Sequence, residues 1–260
     1  MPDAGIDLAS ARILVSNDDG INAPGLKLLA KLAGALCREV WVVAPEREQS
    51  GASHSLTLER PLRVRRLGAR RYAVDGTPTD CVLLAVKTLM RDKRPTLMLS
   101  GINSGANLGE DVTYSGTVAA AMEATLLDVP AIAFSQHYAD RRKIPWATAG
   151  AHAPEVIRRI TALRWPRDTL INVNFPAVPP DDVDGVVATR QGRRKIGEGV
   201  VERVDPRGRP YYWIGPMREE WPDMPGTDLQ AITAGKVSIT PICLDLSNGA
   251  ALAQLKSVFP

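Results

Sequence analysis

The sequence predicts an α/β protein built on a doubly wound, mostly parallel sheet, with a C-terminal β-hairpin and oligomerisation region beside it. Three observations carry that reading. Short runs that are apolar throughout, such as Ile13 to Val15 and Val40 to Val43, mark strands covered on both faces. Stretches with apolar residues at helical spacing alternate with them. Polar, glycine-containing clusters begin where the apolar runs end. This alternation makes the sheet Rossmann-like, and in such sheets ligands bind outside the carboxyl ends of the strands, at a switch point.

Arg12 to Ser16 is the first strand and ends in Asn17-Asp18-Asp19-Gly20. Pro24 then opens a helix whose Leu29, Leu32, Ala33 and Leu36 share one face. Val40 to Ala44 is a strand stopped by Pro45, and a polar loop runs from Glu46 to Ser55. Leu56 to Val74 reads as two strands around Gly68. Thr77-Pro78 is a helix start, and Cys81, Leu84, Ala85 and Thr88 share the face that follows. Thr96 to Ser100 is the next strand. A glycine-rich loop spans Gly101 to Gly116, and a helix follows with Val118, Ala121, Met122, Thr125 and Leu126 on one side. Pro130 to Phe134 is another strand.

The last third reads differently. Thr169 to Phe175, Val186 to Arg190, Tyr211 to Ile214 and Val237 to Thr240 look like strands, and Pro206-Arg207-Gly208 has hairpin-turn chemistry. An aromatic hairpin of this kind is expected to serve as an oligomerisation arm. Residues 1–11 are expected as a flexible N-terminal extension. Residues 12–260 are expected as one domain, in which 186–246 holds the projecting hairpin and C-terminal arm.

The chain has 260 residues, 45% hydrophobic and 23% charged, which excludes a disordered or collagen-like polymer. Its net charge of +3 hides a division. Glu59 to Arg71 holds six basic residues and one acid, and Arg190 to Arg209 holds seven and three, so the remainder is mildly acidic. Such local clusters favour small phosphorylated partners over a nucleic-acid polymer, for which no groove-length basic run exists. Cys37, Cys81 and Cys243 are isolated in apolar surroundings, which argues against a disulfide framework or a zinc site. They are expected as buried hydrophobes in a reducing cytoplasm. The most apolar stretch, Val118 to Phe134, is interrupted by Glu123 and Asp128, so no membrane span is expected.

Four constellations can carry chemistry. Asp18 and Asp19 are adjacent carboxylates that repel unless a cation neutralises them, although Asn-Asp-Asp-Gly is also ordinary turn chemistry. Ser50 lies in a loop rich in hydroxyls and glycine, suited to oxygen ligation or to being plain surface. His54 in that loop is a tempting acid or base, or a structural hydrogen-bonder. Gly101, Gly105 and Gly109 recur every fourth residue around Asn103 and Asn107. That spacing matches neither the dinucleotide nor the P-loop fingerprint. Ser115-Gly116-Thr117 opens a helix, either as a plain cap or as a phosphate site. Together the donors are all oxygen, suited to Mg²⁺, Mn²⁺ or Ca²⁺ rather than Zn²⁺. A hard cation beside a phosphate cradle points to phosphoryl chemistry.

The strings ILVSNDDGINAPG, VVAPEREQSGASHSLTL, YAVDGTPTDCV, LMLSGINSGANLGEDVTYSGTVAAAMEA and VSITP occur in order between Arg12 and Leu246. They resemble the SurE family of metal-dependent nucleotidases. The resemblance implies a phosphatase acting on nucleoside 5′- and 3′-monophosphates, with some activity on short polyphosphate. It implies one divalent cation per subunit, Mg²⁺ or Mn²⁺, held by Asp18, Asp19, Ser50 and Asn103. It puts Asn107, Ser115, Gly116 and Thr117 on the phosphate side. Asp19 is the candidate to orient or deprotonate the attacking water, with Asp18 mainly holding the metal. The family also implies homodimers or homotetramers that exchange C-terminal segments. His54 and Tyr114 stand where the family varies, and His137 to Arg167 matches only loosely. Two other classes compete: a non-catalytic nucleotide or metal-binding module on the same fold, and a metal-dependent glycosyltransferase. The latter normally carries its aspartates as D-x-D, later in the chain.

Overall fold

The computed structural model describes residues 5–196, 199–214 and 218–259. In chain order the elements are β1 (Arg12–Ser16), α1 (Pro24–Leu36), β2 (Glu39–Pro45), β3 (Val64–Gly68), β4 (Arg71–Val74), α2 (Pro78–Leu84), β5 (Leu97–Ser104), α3 (Gly116–Leu126), β6 (Ala131–Gln136) and α4 (Trp146–Thr161). Then come β7 (Thr169–Phe175), β8 (Val186–Ala188), β9 (Arg194–Ile196), β10 (Val200–Val204), β11 (Pro210–Ile214), β12 (Arg218–Glu220), α5 (Asp228–Thr233), β13 (Val237–Cys243) and α6 (Gly249–Lys256).

Nine strands form one sheet in the order β3-β4-β2-β1-β5-β6-β7-β13-β8. From β4 through β7 the neighbours are parallel, while β3 against β4 and β13 against β7 are antiparallel. The chain leaves β1 toward β2 and β4, then returns to add β5, β6 and β7 on the other side. Loops after β1 and β5 therefore diverge, and a crevice opens between them.

The apolar runs are explained by burial on both faces. In β1, Ile13 and Val15 join one core layer and Leu14 the other; in β5, Leu97 and Leu99 oppose Met98. Buried Leu26, Leu29 and Ala33 of α1 and Ala149, Ala153 and Ile157 of α4 cover the first face. Residues of α2 and α3 cover the second. Each large apolar side chain so buried contributes about 1.5–3 kcal/mol.

Thr77 caps α2, its hydroxyl accepting the Asp80 N–H while the Asp80 carboxylate accepts the Thr77 N–H, as the Thr-Pro signal predicts. α4 lies in a stretch that sequence reading left without an element. Its apolar period runs Ala149, Ala153, Val156, Ile157 and Ile160, but Pro154 and Gly150 interrupt the pattern. Two expectations change. Within the supposed flexible extension, the Ile6 N–H bonds the Thr161 carbonyl at 2.7 Å, and Ile6 and Leu8 pack on the core. Residues 1–4 of that extension lie outside the described residues. Cys37 and Cys81 are buried, but Cys243 is exposed, because the last residues of β13 alternate outward.

The hairpin of β10 and β11 forms its own antiparallel sheet, and every residue of both strands is exposed in the single chain. β9 and β12 pair with each other as a separate two-stranded sheet. Residues 197–198 and 215–217 of the expected arm lie outside the described residues.

Candidate functional site at the sheet switch point

The end of β1 delivers Asp18 and Asp19 into the crevice. Asp18 is buried, and its surroundings come from far along the chain. The Thr117 hydroxyl donates to Asp18 Oδ1. A Cβ on Gly116 would sit 2.7 Å from Asp18 Cβ, so only glycine lets α3 approach so closely. Burial pushes the Asp18 carboxyl up to about 6, the Thr117 bond opposes this, and the charge of Asp19 adds to it. Asp19 is half-buried and accepts the Ser104 N–H at 3.1 Å. Burial raises its pKa, the Ser104 bond lowers it, Glu48 raises it and Arg141 lowers it.

β5 supplies the opposite wall. Gly101, Gly105 and Gly109 all have positive φ, at 119°, 125° and 52°, which is the physical reason for glycine at every fourth position. Between them Asn103 Nδ2 donates to the Gly105 carbonyl at 2.8 Å, fixing the amide plane. The Ser50 hydroxyl donates to Glu48 at 2.9 Å and so keeps lone pairs for another partner. Its loop is tied to Asp18 by the Gln49 N–H, 2.8 Å from the Asp18 carbonyl.

A cavity of about 300 Å³ joins these groups. It is lined by Asp18, Ser50, Asn103, Asn107 and Ser115, with aromatic Tyr114 and Tyr138 on its walls. Asp19 sits beside it through Ser104, whereas Gly116 and Thr117 stand behind Asp18. Of the eight residues singled out from the sequence, five thus face one space and three support it. Ser115 caps α3 by accepting the Val118 N–H at 3.1 Å, which leaves the Gly116 and Thr117 N–H groups at the positive end of the helix. His54 does not line the cavity.

Sequence reading missed the residues that hold Asn107. Its N–H bonds Asn174 Oδ1 at 2.8 Å, and its carbonyl accepts Asn172 Nδ2 at 2.9 Å and Asn174 Nδ2 at 3.1 Å. Its own Nδ2 donates to the Ser135 hydroxyl at 2.8 Å. Asn172 and Asn174 alternate within an otherwise apolar strand, and that pair was the available signal.

The donor set fits a hard cation. Among the described residues no group of three His, Cys, Asp or Glu side chains could hold a metal ion. A cation here would therefore draw on amide and hydroxyl oxygens as well as the two carboxylates. Asn17 Oδ1, buried next to Asp18 in the chain, has no hydrogen-bond partner.

Residues 13–198 match the family described as survival protein SurE. The chain belongs to the SurE family. A protein of Paramagnetospirillum magneticum named 5′-nucleotidase SurE is 58% identical over 253 residues, covering 97% of each chain. Another of that name, from Rhodospirillum rubrum, is 53% identical over 97% of this chain and 98% of its own. The crystal structure of the SurE protein from Aquifex aeolicus superposes with a TM-score of 0.83 at 41% identity, covering 96% of this chain and all of that one. The doubly wound fold is thus shared with that SurE protein.

Proposed function

We propose that the chain is a divalent-metal-dependent phosphomonoesterase that releases phosphate from nucleoside 5′- and 3′-monophosphates. The observation that carries this is the meeting of Asp18, Ser50, Asn103, Asn107 and Ser115 around one cavity beside the N-terminus of α3. The names of the relatives support the same reading. Asp18, Asp19, Ser50 and Asn103 would hold the cation, Mg²⁺ or Mn²⁺. When bound, such an ion lowers the pKa of a coordinated water and offsets phosphate charge. Ser115 and the positive N-terminus of α3 would take the non-bridging phosphate oxygens. Asp19, half-exposed and held by Ser104, orients a water and takes its proton. Thr117 and Gly116 act through Asp18 rather than on substrate. The aromatic walls of Tyr114 and Tyr138 give a nucleoside apolar area to pack against. The exposed hairpin and α6 fit assembly into dimers or tetramers, and no helix among the described residues is long and apolar enough to cross a membrane.

The test is phosphate release from AMP and p-nitrophenyl phosphate with Mn²⁺ or Mg²⁺, with and without EDTA. Turnover abolished by EDTA and restored by Mn²⁺ is the expected result. AMP binding without turnover would make the chain a binding module, and EDTA-insensitive release would remove the metal from the account.

A further inference from the structure

The Ser50 loop, residues 46–57, is polar and mostly exposed, yet it must present one hydroxyl at a fixed place. Its ties can be traced. Toward its start the Gln49 N–H bonds Asp18. Toward its end the Thr57 N–H and hydroxyl bond Asp80 at 3.0 and 2.6 Å. Between these, two side chains reach the segment carrying Ser115. The Ser53 hydroxyl donates to the Thr113 carbonyl at 2.7 Å. His54 Nε2 lies 3.0 Å from Glu123 Oε2.

Glu123 is the unusual member. It sits about two turns into α3, whose neighbouring Val118, Ala119, Ala120, Ala121 and Ala124 are all buried. Its side chain is only 10% exposed. A carboxylate so placed is costly unless it is hydrogen-bonded. His54 supplies that bond, and because a carboxylate can only accept, Nε2 carries the proton. The imidazole is 31% exposed and does not line the cavity.

We infer that His54 and Glu123 form a positioning latch: the pair pins the loop bearing Ser50 onto the helix that begins at Ser115, and so sets the distance between the metal side and the phosphate side of the site. This rests on the reading of Ser50 as a metal ligand. His54 is then neither acid nor base. Its contribution is one N–H aimed at a buried carboxylate, and that can be supplied by an amide but not by a hydrocarbon.

The experiment is calorimetric titration of the full chain with Mn²⁺ alone, comparing the parent with His54→Ala, His54→Gln and His54→Phe, with thermal midpoints measured in parallel. His54→Ala is expected to weaken Mn²⁺ about tenfold, as outer residues of metal sites do. His54→Gln is expected within about threefold of the parent, because its amide restores the donor. His54→Phe keeps ring volume without a donor and is expected to resemble alanine. Should the alanine variant fail to fold, the glutamine–phenylalanine pair decides. Equal Mn²⁺ affinity in those two overturns the latch, as does parental affinity in His54→Ala. A parent that binds no Mn²⁺ fails the metal reading itself, which separates that outcome from failure of the latch alone.

Discussion

The crevice between β1 and β5 and the arm of β10 and β11 are built in opposite ways. In the crevice Asp18, Asp19 and Asn107 are held by residues distant in sequence. Asp18 is gripped by Thr117 and Gly116, Asn107 by Asn172, Asn174 and Ser135, and Asp19 by Ser104. In the arm the bonds are local. The strands pair with each other, and Asp205 closes the turn by accepting the Arg207 and Arg209 N–H groups. Val200, Tyr212, Trp213 and Ile214 are each more than 60% exposed, an apolar surface that a monomer has little reason to keep. Placement in the site is thus a property of the whole fold, whereas the arm can change without disturbing the sheet.

That contrast can be broken at several points. Among the supporting contacts the largest effect is expected from Thr117→Val, which removes the hydroxyl on Asp18 while keeping the volume. kcat/KM for AMP should fall about 10- to 100-fold, with an unchanged circular dichroism spectrum. Asn174→Ala strands the buried N–H of Asn107 and removes one of the two donors to its carbonyl. It should cost about 1–3 kcal/mol by urea unfolding and lower turnover in step. An Asn174→Ala variant as stable and active as the parent would separate the phosphate-side loop from the scaffold.

A smaller and pH-dependent effect is expected at Asp228. Its carboxylate accepts the Gly109 N–H at 2.9 Å and the Gly192 N–H at 2.8 Å, joining the site loop to the root of the arm. Burial raises its pKa despite these bonds. The native chain therefore holds the proton more tightly than the unfolded chain, and stability falls as pH rises through the interval between the two pKa values. Asp228→Asn removes that slope, so the variant should gain on the parent as pH rises from about 4, where an unfolded Asp titrates. A urea-midpoint difference independent of pH would contradict this. The smallest catalytic effect belongs to the arm. Trp213→Ala should leave kcat per chain within about twofold and monomer stability within about 0.5 kcal/mol, as for exposed sites generally. It should instead reduce the assembly size seen by light scattering.

The same contrast explains what could be read in the sequence. Strands such as Arg12–Ser16 and the run from Thr96 to Ser100 were legible because burial on both faces leaves a continuous apolar run, although the second continues to Ser104 through residues expected as loop. The ligand candidates were legible because they fall at strand ends, and the glycine spacing because each glycine takes positive φ. α4 was not, because Pro154 and Gly150 break its period. Nor were the supporting contacts. Thr117 lies 99 residues from Asp18 and Glu123 lies 69 from His54, and no local pattern links them. Gly116 and Thr117 read as phosphate-side groups because they follow a cap, and their contacts with Asp18 arise only where the first turn of α3 meets the loop after β1. Part of the basic excess was misleading in the same way: Arg60 pairs with Asp75 and Arg65 with Glu46, so these charges are partly spent within the protein.

The central claim is that the crevice at Asp18 is where a phosphate ester is cleaved. It is tested most directly by Mn²⁺-supported AMP hydrolysis in Asp18→Asn, an exchange that keeps the shape of a buried side chain and removes its charge. The account predicts a fall in kcat/KM of about 10³-fold or more, on the scale seen when a group essential to the transition state is lost. Turnover within about threefold of the parent would contradict it.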